Sequence, residues 1–181
     1  MTTSNIDLLE IAKLLHIKIS VVLQEDLETE PLPIPNQLNN YIINYGSEAN
    51  GGTHWVALII YNNIAFFFDS FGAHFDSDIG AYMKRAGCNQ IAYNQLIIQH
   101  LNSNLCGWYC LSFLRFMKGY FNEENKKKSF FEMANDYSNL FSDTNSEKNA
   151  KKLRALILKQ LKPQKLPKRL NEILFEKIIY T

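Results

Sequence analysis

The sequence predicts an α+β domain, and three observations predict it. Apolar stripes at helical spacing stand near both ends of the chain. Two strand-sized apolar runs joined by Asn62-Asn63 stand in the middle, and residues 106–118 are apolar on nearly every side. At 181 residues, 46% of them hydrophobic and 20% charged, the chain has an ordinary globular balance and the length of a single domain over 1–181.

The elements follow in order. Ser4 with Asp7 three residues on marks a helix start, and Leu8, Ala12 and Leu15 form its apolar stripe. Residues 21–23 suit a short strand. The run Glu30-Pro31-Leu32-Pro33-Ile34-Pro35 must be extended, because proline lacks the amide proton a helix interior uses. Leu38, Tyr41, Ile42 and Tyr45 give a second helical stripe, closed by Gly46. The runs 54–61 and 64–68 read as a hairpin, since asparagine tolerates the left-handed backbone of a tight turn. Residues 81–86 suit a helix ended at Gly87, and 90–93 a third strand. Residues 106–118 make a buried central helix and 122–128 a charged loop. In the tail, Leu153, Leu156, Ile157 and Leu161 form an apolar stripe with Lys151, Lys152, Arg154 and Lys159 facing away. Pro163 and Pro167 end that helix, and 172–180 suits another.

Composition excludes several classes. No apolar run approaches the ~20 residues a spanning helix needs. Residues 1–10 carry acids and no basic-then-apolar block, so no secretory signal is expected. Three cysteines do not make a disulfide-stapled scaffold, and the expectation is an intracellular protein. The net charge of +1 hides an asymmetry: residues 1–125 hold six Lys/Arg against twelve Asp/Glu, and 126–181 hold thirteen against six. Nine bases and no acid lie within 148–169, a block that favours a polyanionic partner.

Three segments carry reactive side chains. Gly51-Gly52-Thr53-His54-Trp55 places a histidine at the start of one hairpin strand, and Phe68-Asp69-Ser70 places a carboxylate at the end of the next. Those positions are neighbours in an antiparallel pair. The polar run from Gln99 leads Cys106 into the apolar helix. There the positive end of the helix dipole stabilises a thiolate, with His54 as its acid–base partner, Asp69 orienting the imidazole, and the Gln99 amide and Cys106 backbone N–H facing a developing oxyanion. Taken singly, each has a plainer reading: a packed thiol, a hydrogen-bonded strand terminus, a turn carboxylate. Cys106-x-x-x-Cys110 lacks the second Cys/His pair that a zinc site needs, so no metal is expected.

The string Gly-Gly-Thr-His54-Trp55, Phe-Asp69-Ser-Phe-Gly, and Gln99 seven residues before Cys106-Gly-Trp-Tyr-Cys110 resembles adenain, the adenovirus-type maturation protease. That family belongs to a wider set that includes the proteases of SUMO and related modifiers. The resemblance covers about 38–117. It implies a central mixed β-sheet packed against helices, with the nucleophile at the N-terminus of a buried central helix. By it His54 is the general base, Asp69 the third triad member, Gln99 the oxyanion donor and Cys106 the nucleophile. Leu105 before the nucleophile, where the modifier proteases usually carry Asp, favours the viral branch. The resemblance further implies cleavage of capsid or other virion precursors at Gly-Gly-X or Gly-X-Gly sites, in the virion and the infected cell. It implies stimulation by a viral peptide attached at Cys88 and by DNA on the basic block, here Lys151, Lys152, Arg154 and Lys159. No cofactor is required for the chemistry, no membrane is involved, and nothing demands more than a monomer. The alternatives are a deconjugase for a ubiquitin-like modifier and a non-catalytic virion protein that binds nucleic acid or partners.

Overall fold

The computed structural model describes residues 3–45, 54–122, 128–142 and 144–176. Helix α1 (Asn5–Leu14) opens with a capping box in which Ser4 and Asp7 exchange side-chain and backbone hydrogen bonds. Strand β1 (Ser20–Leu23) leads through a short 3-10 turn to β2 (Asn39–Tyr45), then β3 (His54–Tyr61) and β4 (Ile64–Phe68). Helix α2 (Ser77–Arg85) and strand β5 (Gln90–Tyr93) follow. Four helices complete the fold: α3 (Cys106–Asn122), α4 (Phe130–Ser138), α5 (Ser146–Leu161) and α6 (Lys168–Leu174).

The five strands form one mixed sheet in chain order, with β1 parallel to β2, β2–β3–β4 antiparallel, and β5 parallel to β4. Both faces are covered. Ile42, Ala57, Ile59, Phe66 and Phe68 pack with α1, α3, α4, α5 and α6 on one side. Tyr41, Ile43, Val56, Leu58, Ile60 and Phe67 pack with Ile79, Tyr82 and Met83 of α2 on the other. Strands buried on both faces read as continuous apolar runs, as these do.

The hairpin over β3 and β4 has the expected bounds, and Asn62 takes the left-handed conformation at φ 53°. The second helical stripe is corrected: Leu38 to Tyr45 is not a helix, because Asn39–Tyr45 is β2, hydrogen-bonded to β1 and β3. A spacing of 41, 42, 45 also satisfies a period of two, with Tyr41 and Ile43 facing one core and Ile42 the other. Gly46, its expected cap, lies outside the described residues. Helix α2 begins four residues before the expected 81, at a start capped by Asp76. It ends at Ala86 with Gly87 at φ 76°. Helix α4 was not anticipated, although Ser129 and Glu132 form a capping box at its head. Helix α6 starts at Lys168 rather than 172, and residues 177–180 lie outside the described residues, as does most of the loop 122–128.

Candidate active site at the head of the buried helix

The site lies where the end of the sheet formed by the start of β3 and the end of β4 meets the first turn of α3. Residues 106–114 are all buried, so Cys106 is held by a helix with no room to shift. Gly107 is closely packed: a Cβ there would strike the Thr3 hydroxyl and lie 2.9 Å from Leu8 Cδ2, so both side chains would have to shift. The N-terminal segment is tied to the same place by the Trp55 indole, which donates to the Thr3 carbonyl at 3.0 Å.

The structure brings His54 and Asp69 together, with Nε2 and Oδ1 2.6 Å apart. The imidazole lies 4.6 Å from the Phe71 ring, which shields it. Nδ1 is buried and has no hydrogen-bond partner among the described residues, while Cys106 is near enough to act on the ring's charge. Burial pushes the His54 pKa down, but the hydrogen bond to Asp69 and the charges of Asp69 and Cys106 outweigh it and hold the imidazole up at about 9. At neutral pH the ring is therefore protonated.

Asp69 is positioned by side chains that the sequence did not single out. Its backbone N–H donates to Asn94 Oδ1 at 2.8 Å, and Asn94 Nδ2 donates back to its carbonyl at 2.7 Å. Its Oδ1 also accepts from the Phe71 N–H at 2.8 Å. The turn closes through Gly72, whose N–H donates to the Asp69 carbonyl at 2.8 Å. Gly72 has φ 68°, and a Cβ there would stand 2.7 Å from the Gln95 carbonyl oxygen. Asn94 stands directly after β5 with Gln95 beside it, and nothing local in the sequence marks it out.

Gln99 is buried in an irregular segment between β5 and α3. Its Oε1 accepts from Ser70 Oγ at 2.7 Å and its Nε2 donates to the Ser103 carbonyl at 2.7 Å. An amide carries two N–H donors, so one remains for a ligand. The preceding carbonyl, that of Ile98, accepts from the Tyr109 hydroxyl at 3.1 Å and from Asn149 Nδ2 of α5 at 3.0 Å. Nothing local in the sequence links 98 to 149.

Two clefts flank this arrangement. One of about 570 Å³ is lined by Gln24, Tyr45, His54, Asp69, Phe71 and His74 among others. Burial raises the Tyr45 hydroxyl to about 12, so it stays protonated there. The other, of about 370 Å³, borders Gln99 and is rimmed by the exposed Ile97 and Leu101.

The remaining sequence-predicted residues are elsewhere. Cys88 is half-buried against the α2 side of the sheet, where burial raises its thiol pKa. Its neighbours Asn89 and Gln90 bond to Asn63, so it sits at the hairpin-turn end, five strand residues or roughly 17 Å from Asp69. On α5, Lys151 pairs with Glu147 at 2.7 Å. Arg154 donates to the Leu174 and Glu176 carbonyls and covers the Phe175 ring, pinning the end of α6. Lys148, Lys152 and Lys159 are exposed and fall within about 40° of one another around the helix axis. Among the described residues no cluster of His, Cys, Asp and Glu is disposed to hold a metal ion.

No protein-family model and no curated protein matches the chain. Two similar solved structures are a crystal structure of the ASFV pS273R protease, 15% identical with a TM-score of 0.40, and a selenomethionine crystal structure of that protease, 18% identical with a TM-score of 0.36. The alignments cover 67% of this chain and 58% of that chain in the first, and 58% and 44% in the second. The chain thus spans less than two thirds of either.

Proposed function

We propose that the chain is a cysteine endopeptidase in which Cys106 is the nucleophile, His54 the acid–base, Asp69 its orienting carboxylate and Gln99 an oxyanion donor. The observation that carries this reading is the His54–Asp69 pair set against a cysteine at the head of a buried helix. The Cys106 thiolate attacks the scissile carbonyl carbon, forming the S–C bond and moving the π electrons onto oxygen. The Gln99 N–H and the Cys106 backbone N–H face that oxyanion. As the tetrahedral species collapses, the C–N bond breaks and the His54 imidazolium gives its Nδ1 proton to the leaving amine. Water then attacks the thioester, passing its proton to His54. The acid departs and the thiolate is restored.

The flanking clefts suit an extended chain that crosses Cys106, with aromatic walls on the His54 side and an apolar rim beside Gln99. The resemblance carried by Gly-Gly-Thr-His54-Trp55 and by the Gln99–Cys106 spacing supports a viral maturation role: cleavage of capsid or virion precursors at Gly-Gly-X or Gly-X-Gly sites. The exposed stripe of Lys148, Lys152 and Lys159 supports DNA contact, with Lys151 and Arg154 engaged within the fold.

The test is a mass-spectrometric cleavage assay. It uses peptides bearing internal Gly-Gly-X and Gly-X-Gly sites alongside ubiquitin-like proteins with C-terminal extensions, each with and without duplex DNA. Internal cleavage lost in Cys106→Ala is the expected result. Trimming of the folded modifiers alone would make the chain a deconjugase, and no cleavage of either, with Cys106 also unreactive to iodoacetamide, would remove the enzymatic reading.

A further inference from the structure

Ser70 follows the proposed triad carboxylate and is wholly buried, with 0% exposure. Its carbonyl accepts the Ile98 and Gln99 backbone N–H groups at 3.0 and 3.1 Å, and its hydroxyl donates to Gln99 Oε1 at 2.7 Å. One residue therefore holds both the main chain and the side chain of Gln99. With the Ser103 carbonyl on Nε2, the amide is gripped at both ends, and its orientation is decided. Rotating it would set Oε1 against the Ser103 carbonyl, two acceptors facing each other in a buried place. Because the next residue toward the N-terminus is Asp69, the strut also ties the oxyanion donor to the carboxylate that orients His54, across 29 residues of sequence.

We propose that Ser70 is a positioning residue that aims the Gln99 amide at the oxyanion. This rests on the cysteine-protease reading and deepens it. Removing the hydroxyl leaves Gln99 Oε1 buried without its donor, while the two backbone hydrogen bonds to the Ser70 carbonyl survive. The loop therefore stays in place and the amide loses its aim.

The experiment is a double-mutant cycle on Ser70→Ala and Gln99→Ala, read in steady-state cleavage and in the rate of Cys106 alkylation by iodoacetamide, a displacement that forms no oxyanion. Ser70→Ala is expected to lower kcat on the order of 10-fold with KM little changed. It should cost less than about twofold when Gln99 is already alanine, and alkylation should stay within about twofold of the unsubstituted protein. Unchanged kcat, additive losses in the cycle, or equal slowing of alkylation and cleavage would each overturn the proposal. If the unsubstituted protein cleaves nothing and Cys106 is not alkylated, the protease reading fails by itself and the strut is still read by NMR. The Gln99 side-chain NH₂ resonances, assigned by their loss in Gln99→Ala, should shift in Ser70→Ala, and unshifted resonances would overturn it.

Discussion

The first turn of α3 and the turn after it carry the same side chain in opposite circumstances. Cys106 opens the helix beside the His54–Asp69 pair. Cys110, four residues or about 6 Å further along the axis, is fully buried, with its thiol on the Trp55 carbonyl at 3.3 Å. Burial pushes the Cys110 thiol well up, with the nearby Cys106 and Asp69 charges adding to it. One residue type on one helix thus stands in two settings, beside an imidazole or behind a hydrocarbon wall, and on the proposed reading only the first is a nucleophile.

The largest test of that contrast is deletion. Cys106→Ala and His54→Ala should each lower cleavage by on the order of 10⁴-fold or more. Cys110→Ala should leave it within a few-fold, with iodoacetamide labelling lost only in the first of the two cysteine variants. Labelling of Cys110 in the native protein would break the comparison. Gln99→Ala should lower kcat by on the order of 10²-fold, checked against unchanged Cys106 alkylation.

Of these two thiols' surroundings, the apolar one was readable and the polar one only in part. Periodicity marks the stretch after Cys106 as buried, and the hairpin reading places His54 beside Asp69. The Gln99–Ser70 bond and the Asn149 bond to the Ile98 carbonyl join residues 29 and 51 apart, which no local pattern reports.

The pH profile sharpens the contrast next. With the His54 pKa raised to about 9 from an ordinary 6.5, the imidazolium needed to protonate the leaving amine is lost as pH rises through about 9, and cleavage should fall there. The same shift stabilises the fold fully below about pH 6.5, with the gain lost between that value and about 9. Asp69→Asn keeps an acceptor oxygen but removes the negative charge that raises the pKa, so the alkaline limb should move down. An unmoved limb would detach Asp69 from His54.

Smaller still is the scaffold behind the site. Asn94→Ala leaves the buried Asp69 N–H without an acceptor and should destabilise the protein by about 2 kcal/mol in denaturant unfolding. The smallest expected effect on stability lies far from either cysteine. Replacing Lys148, Lys152 and Lys159 together by alanine should change unfolding by less than about 0.5 kcal/mol per site. If that stripe meets DNA, the slope of log affinity against log salt should flatten by up to about 3.

What the sequence by itself determined is the set of elements whose signals are local. The Ser4–Asp7 capping box starts α1, Asn62-Asn63 turns the hairpin, and the unbroken apolar run makes α3 central. These follow from backbone preferences and side-chain period within a few residues. The pairing of His54 with Asp69 was legible too, because the start of one hairpin strand lies beside the end of its partner.

Only the tertiary structure decided that Asn39–Tyr45 is a strand, since its apolar spacing fits both periods and the pairing with β1 and β3 chooses between them. It alone decided that Arg154 caps a helix end, and that Ser70 and Asn94 brace the site. In each case the deciding partner is distant in the chain. A buried polar group is satisfied by whichever group the fold brings to it, whatever its place in sequence.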